Sequence, residues 1–137
     1  MSKRKPRTPQ DTFVRLDHAL LSTMAWLYLS PAAMKLLLAL WTRYTGQNNG
    51  QIPFGVREAM SLLGCSGPKA RQAFNELLDK GFVRVARDSD FRTKRIAREF
   101  TITALPLGDE PATRDFEQWT PEQSADRNLD HRQTHEP

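Results

Sequence analysis

The stretch that decides the fold runs from residue 55 to residue 81 and reads GVREAMSLLGCSGPKARQAFNELLDKG. Apolar residues recur in both halves at the spacing of one helix face, which predicts helices over Val56–Leu63 and Gly67–Lys80. The expected buried stripes are Val56, Ala59, Met60 and Leu63 in the first, and Ala70, Ala73, Phe74, Leu77 and Leu78 in the second. Gly64 suits the left-handed end of the first helix, and Ser66 or Gly67 can cap the second, with Pro68 in its first turn. We therefore expect two helices joined by a tight turn.

A β-hairpin is predicted directly after these helices, with strands over Phe82–Ala86 and Ile96–Thr103. The second strand alternates, so Ile96, Phe100 and Ile102 are expected to face the core and Glu99, Thr101 and Thr103 to face outward. Gln51–Phe54 gives a short third strand. Helix, turn, helix and hairpin in this order predict an α+β fold, a winged helix-turn-helix with a three-helix core and a small antiparallel β-sheet.

The remaining helix of that core is predicted from Pro31 to about Tyr44, with Ser30 as its cap. Its buried face is Ala33, Leu36, Leu37, Leu40, Trp41 and Tyr44. Met34 and Leu38 widen this stripe, which suggests contact with the preceding segment or with a partner subunit. That segment is predicted to form a short strand or an extended piece at Phe13–Leu16, followed by a helical turn over Asp17–Ser22 that Asp17 caps.

Composition divides the chain into a basic body and an acidic end. Residues 1–105 hold 17 Lys/Arg and 8 Asp/Glu, a net charge of +9, whereas residues 106–137 hold 3 and 8, a net charge of −5. We expect a basic disordered arm at 1–11, the folded domain at 12–105, a docking segment at 106–120 and an acidic disordered tail at 121–137. In the docking segment, Phe116 and Trp119 share one face of a helical turn and are expected to pack on the body, a motif for another protein being the alternative.

The polar side of the second helix favours DNA as the partner. Lys69, Arg71, Gln72 and Asn75 lie in its first turns, and these are the residue types that read guanine and adenine in the major groove. The alternative is a merely solvated helix face. The hairpin adds cations suited to phosphates or the minor groove, and the N-terminal arm adds more. These are Arg84, Arg87, Arg92, Lys94, Arg95 and Arg98 in the hairpin, and Lys3, Arg4, Lys5 and Arg7 in the arm.

Other kinds of chemistry find little support in the sequence. No phosphate-binding glycine loop, carboxylate pair or nucleophile constellation is recognisable, so the chain is not expected to be an enzyme. His131 and His135 lack further ligands, so no metal, cofactor or small-molecule ligand is expected. The lone Cys65 is interpreted as a small buried hydrophobe rather than a redox sensor. The longest apolar run, residues 36–41, is too short to span a membrane, so we expect a cytoplasmic protein.

Several segments resemble small winged-helix proteins encoded by plasmids, prophages and integrative elements of alphaproteobacteria. They are LSPAA (29–33), YTGQNNGQI (44–52), VREA (56–59), LGCS (63–66), AFNELLDKGF (73–82) and PATRDFEQW (111–119). The resemblance covers about Phe13–Pro121, and extends more loosely to MarR and GntR winged helices and to plasmid replication initiators. It implies DNA binding, for example by a repressor of conjugative transfer or prophage genes.

Two functions from different classes follow. The first is a sequence-specific regulator of transcription that binds double-stranded DNA as a homodimer, with helix 67–80 in the major groove and hairpin 84–98 on the backbone or in the minor groove. The second is a replication or plasmid-maintenance factor, or an adaptor whose winged helix binds protein, because a fold does not fix a function.

Overall fold

The computed structural model describes residues 13–88 and 97–123. The predicted basic arm with Lys3, Arg4, Lys5 and Arg7, the hairpin residues Arg92, Lys94, Arg95 and Ile96, and the two histidines of the tail lie outside the described residues. The elements in chain order are α1 (His18–Leu21), α2 (Met24–Leu27), α3 (Pro31–Thr42), β1 (Ile52–Pro53), α4 (Val56–Leu63), α5 (Gly67–Asp79), β2 (Val83–Arg87), β3 (Glu99–Ile102) and a 3₁₀ helix (Asp115–Gln118).

Helices α3, α4 and α5 pack on one another and form most of the core. Helix α3 begins where predicted, because the Ser30 hydroxyl accepts a hydrogen bond from the Ala33 amide at 3.2 Å. It ends at Thr42, and Tyr44 is buried just beyond it. The predicted buried face of α4 is only partly buried. Ala59 is fully buried, whereas Val56, Met60 and Leu63 are half-buried and pack against the edge of the core.

The segment before α3 differs from the prediction. Asp17 caps α1 as expected, its Oδ1 lying 2.7 Å from the Leu20 amide. Of the two alternatives predicted for Phe13–Leu16, the strand is wrong, because this backbone pairs with none of the three strands of the sheet, although Val14 and Leu16 pack against the core. The sequence did not predict α2, which starts because the Thr23 hydroxyl accepts from the Trp26 amide.

The described strands form one antiparallel sheet in the order β1–β3–β2. Phe100 and Ile102 face the core as predicted, and Phe100 stacks on Phe74 of α5 with ring centroids 5.4 Å apart. Thr103 was predicted to face outward, and that prediction is wrong. It is 1% exposed, because its hydroxyl donates a hydrogen bond to the Gly81 carbonyl at 2.6 Å, which ties the end of β3 to the end of α5.

The chain after β3 folds back over the body through residues 111–123, which we call the strap. Phe116 is fully buried and stacks on Phe82 at 5.1 Å, and the Trp119 indole donates to Asp79 Oδ2 at 3.3 Å. The docking expected of both aromatic side chains is confirmed. Residues 121–123, assigned to the tail from the sequence, are helical.

The architecture is therefore α+β, with a helical core and a small antiparallel sheet, and it is compatible with the predicted winged-helix layout. Among the described residues no helix has the length and apolarity needed to cross a membrane.

Candidate nucleic-acid interface

The turn between α4 and α5 fixes the angle at which the two helices meet. Gly64 ends α4 in the left-handed region at φ 61°, and the Cys65 amide then bonds back to the Met60 carbonyl at 3.2 Å. Ser66 caps α5, as one of the two predicted candidates, with its hydroxyl 3.4 Å from the Lys69 amide. Three residues, Gly64 to Ser66, therefore carry the chain from one helix into the next, and the cap of α5 is exposed.

Helix α5 has one buried and one open side. Ala70, Ala73, Phe74 and Leu77 are buried, whereas Lys69, Arg71, Gln72 and Asn75 are all exposed. Because successive residues turn by about 100°, Gln72 and Asn75 point directly away from the core, and Lys69 and Arg71 flank them on opposite edges. The four predicted base-reading residues thus share one open surface at the N-terminal half of the helix.

Arg71 has a defined position on this surface. A methyl group on Gly67 would lie 3.5 Å from both terminal nitrogens of the Arg71 guanidinium. The side chain therefore runs back along the helix to its first turn. This places the guanidinium beside the α5 N-terminus, whose unpaired amides carry partial positive charge.

The two acidic residues of α5, Glu76 and Asp79, bind other elements of the fold. Glu76 accepts hydrogen bonds from the Ser30 amide at 3.1 Å and from the Ser30 hydroxyl at 2.5 Å. Asp79 accepts from Trp119 of the strap. Both carboxylates lie in the C-terminal half of α5, so they leave the cationic N-terminal half without a nearby acidic side chain on the same face.

The structure separates the hairpin cations that the sequence grouped together. Arg84 and Arg87 lie on the outer face of the sheet, where a bulge between Val85 and Arg87 brings Arg87 opposite Glu99. Arg84 binds Asp115 through two hydrogen bonds of 2.6 and 3.0 Å, and Arg87 lies 3.8 Å from Glu99. Arg84 and Arg87, which were predicted to contact the DNA backbone, therefore each pair with a carboxylate of this chain.

Arg98 occupies the other face. Its guanidinium carbon lies 5.4 Å from the ring centroids of both Phe74 and Phe100, so it sits between α5 and the sheet. Its carbonyl accepts from the Phe54 amide at 3.1 Å, and its neighbour Ala97 lies against Gly55, the N-cap of α4. Among the described hairpin cations, Arg98 is the one that packs on α5, through Phe74.

Pairing with carboxylates divides the described cations into two groups. Arg43, Lys80, Arg84, Arg87 and Arg114 each form an ion pair. Arg15, Lys35, Arg57, Lys69, Arg71 and Arg98 form none with a described carboxylate. Four of these six lie on α4, α5 and the start of β3.

Arg57 was not predicted to belong to the site. It is exposed in the first turn of α4, two residues after the cap. Its position is the sequence signal that could have identified it. A cation at a helix N-terminus interacts unfavourably with the helix dipole, so its presence there suggests a role other than stabilising the helix.

The paired groups show a complementary electrostatic pattern. Hydrogen bonds from Arg114 hold the pKa of Asp17 below its usual range, and those from Arg43 do the same for the pKa of Glu58. Burial raises the pKa of Asp115, but hydrogen bonds from Arg84 and Thr113 outweigh it and leave that pKa lowered. These carboxylates stay ionised at neutral pH and neutralise the cations around the strap and beside β1.

Comparison of the chain with protein-family models, with curated proteins and with solved structures finds no match.

Proposed function

We propose that this chain is a winged helix-turn-helix protein that binds double-stranded DNA sequence-specifically and regulates transcription, as a repressor of mobile-element genes such as those of conjugative transfer or a prophage. Helix α5 is the recognition helix of this proposal, and the β2–β3 hairpin is its wing. The protein acts in the bacterial cytoplasm, on the nucleoid, as a homodimer and without a cofactor.

The observation that carries the proposal is the distribution of unpaired cations. Arg57, Lys69 and Arg71 are exposed and have no described carboxylate partner, and Arg98, which has none either, packs on Phe74 of α5 at the base of the wing. On a surface that binds no ligand, such cations are commonly paired with carboxylates. Arg84 with Asp115 and Arg114 with Asp17 are examples beside the strap. Phosphate oxygens would supply the missing partners.

Different residues then have different parts in the complex. Arg71, Gln72 and Asn75 point out of the N-terminal half of α5, where a recognition helix meets base edges. We assign the phosphate contacts to Arg57 in the first turn of α4, Lys69 in the first turn of α5 and Arg98 just before β3. We assign Arg84 to the strap contact instead, because its guanidinium already makes two hydrogen bonds with Asp115.

The test is a titration of the full-length protein against its own upstream DNA and a scrambled duplex, at two salt concentrations. The wild type is expected to prefer the upstream DNA, and its affinity for both duplexes is expected to fall as the salt concentration rises. Arg57→Ala should weaken binding to both duplexes equally and reduce the salt slope by about one. Gln72→Ala should instead reduce the preference between them by about 1–3 kcal/mol.

A matched control is available in Lys35→Ala. Lys35 is also an exposed cation without a described carboxylate partner, but it lies on α3. Its replacement should leave both affinities unchanged. Equal binding of the wild type to both duplexes would favour a replication or plasmid-maintenance factor. No binding at low salt would refute DNA binding and favour an adaptor whose winged helix binds protein.

A further inference from the structure

The outer surface of the N-terminal helices is almost without charge. From His18 to Thr42, 25 residues, the sequence holds a single Lys, Arg, Asp or Glu residue, Lys35. At the chain average of 26% charged residues, a stretch of this length would carry about six. Burial alone does not explain the difference, because ten residues of the stretch are exposed and nine of them are uncharged.

The most apolar part of this surface lies on α2 and the start of α3. Leu27 is 66% exposed, Tyr28 57% and Met24 45%, and their spacing puts all three on one side of α2. Pro31 and Ala32 continue the exposed surface into α3. We call these five residues the α2 patch. An exposed apolar cluster that lacks charges is typical of a protein interface.

The patch is held in a fixed position. Tyr28 packs on Trp119 with ring centroids 5.8 Å apart, and Trp119 is itself fixed by Asp79 and by Lys80, whose ammonium lies 4.9 Å from the Trp119 ring. Ser30, directly before Pro31, is bound to Glu76. The patch therefore adjoins the C-terminal half of α5, whereas the open polar residues of that helix lie in its N-terminal half.

We propose that the α2 patch is the interface with a second copy of this chain, related by a twofold axis. A twofold interface sets each patch against its own image, so any charge on it meets a like charge. A patch without charges avoids that cost, and it also lacks the charge pattern that would select a different protein.

The position of the patch favours the same occupant. A second copy that covers the α2 patch leaves the N-terminal halves of both α5 helices open. Recognition of two DNA half-sites requires that arrangement, so this inference rests on the proposed function. A stable interface buries about 800 Å² per partner, so the contact must extend from the patch onto the neighbouring uncharged residues of α1 and α3.

The test is the mass of the full-length protein by sedimentation equilibrium, over a concentration series from micromolar upward. The wild type is expected at twice the chain mass of 15.7 kDa. Leu27→Glu should raise the dimer dissociation constant at least about a hundredfold, because the twofold axis would bury two unpaired carboxylates. Met24→Lys should act in the same direction.

Leu107→Glu is the matched control, because Leu107 is an exposed leucine in the loop after β3, 43% exposed, and lies against Gly50. It should remain dimeric. Circular dichroism of each variant establishes that the fold is retained. A wild type that stays at the single-chain mass, or a folded Leu27→Glu that still dimerises, would overturn the inference.

DNA titration of the same samples separates this inference from the proposed function. A patch-dependent dimer that binds no DNA would support the interface and refute the function. A single chain that binds the upstream DNA selectively at every concentration would refute the interface alone.

Discussion

At the scale of single residues, Gly81 is a position that the strap approaches closely. It ends α5 at φ 82°, and a methyl group there would lie 2.9 Å from the backbone carbonyl carbon and the Cβ of Asp115. Gly64 has a similar backbone conformation at φ 61°, but a methyl group there would meet nothing within 4 Å. The two glycines therefore separate the cost of a left-handed backbone from the cost of a steric clash.

We expect Gly81→Ala to lower the free energy of unfolding by about 2–5 kcal/mol, from the left-handed conformation and the clash together. Gly64→Ala should cost only about 1–2 kcal/mol, the conformational part. Urea denaturation of both variants measures the difference. Equal losses would show that the strap does not rest on Gly81.

Single residues also show how far the sequence could describe the candidate site. The exposure of Lys69, Arg71, Gln72 and Asn75 follows from helical periodicity alone, and it was predicted. The engagement of Arg84 by Asp115 was not, because the two residues are 31 positions apart and only the folded strap brings them together.

At the scale of elements, two serine caps start the longer helices but differ in what else they hold. The Ser30 hydroxyl accepts from the Ala33 amide and donates to Glu76, so it joins α3 to α5. The Ser66 hydroxyl accepts from the Lys69 amide at 3.4 Å and is exposed. Both look alike in the sequence, since each precedes a proline by one or two positions.

Ser30→Ala is expected to cost about 2–3 kcal/mol, the lost cap together with a half-buried carboxylate left short of one donor. Ser66→Ala should cost about 1 kcal/mol or less. Thermal unfolding monitored by circular dichroism ranks the two. If Ser66→Ala proves the more damaging variant, the Ser30–Glu76 contact contributes nothing to stability.

The strap is held to the body chiefly by Phe116. This side chain is fully buried and stacked on Phe82, so Phe116→Ala should destabilise the protein by about 3–5 kcal/mol. Phe13→Ala removes a phenylalanine that is 47% exposed, and its effect should stay within about 0.5 kcal/mol. Chemical denaturation followed by tryptophan fluorescence tests both, and similar losses would mean that the strap adds no stability.

At the scale of the whole molecule, three carboxylates make the free energy of unfolding depend on pH in the acid range. The pKa values of Asp17, Glu58 and Asp115 are lower in the folded protein than their ordinary values. Below those ordinary values the unfolded chain binds more protons than the folded one. The stabilisation is therefore complete above about pH 5 and is lost as the pH falls through about 4 and below.

Denaturation midpoints measured across this range should fall as the pH drops, and Asp115→Asn should make the decline shallower. Asp109→Asn, a change at an exposed carboxylate in the loop 106–110, should leave the profile unchanged. An Asp115→Asn profile that matches the wild type would show that the ion pair with Arg84 does not contribute to acid sensitivity.

The sequence by itself determined helices α3, α4 and α5, the turn at Gly64, the two strands of the hairpin and the open side of α5, because these depend on local periodicity and on residues with restricted backbone conformations. It did not determine α2, the inward turn of Thr103 or the division between paired and unpaired cations. Helix α2 begins at the local Thr23 cap, whereas the other two are decided by contacts between distant parts of the chain: Thr103 with Gly81, and Arg114 with Asp17. Local pattern fixes which way a side chain leaves its element, and tertiary structure fixes what it meets there.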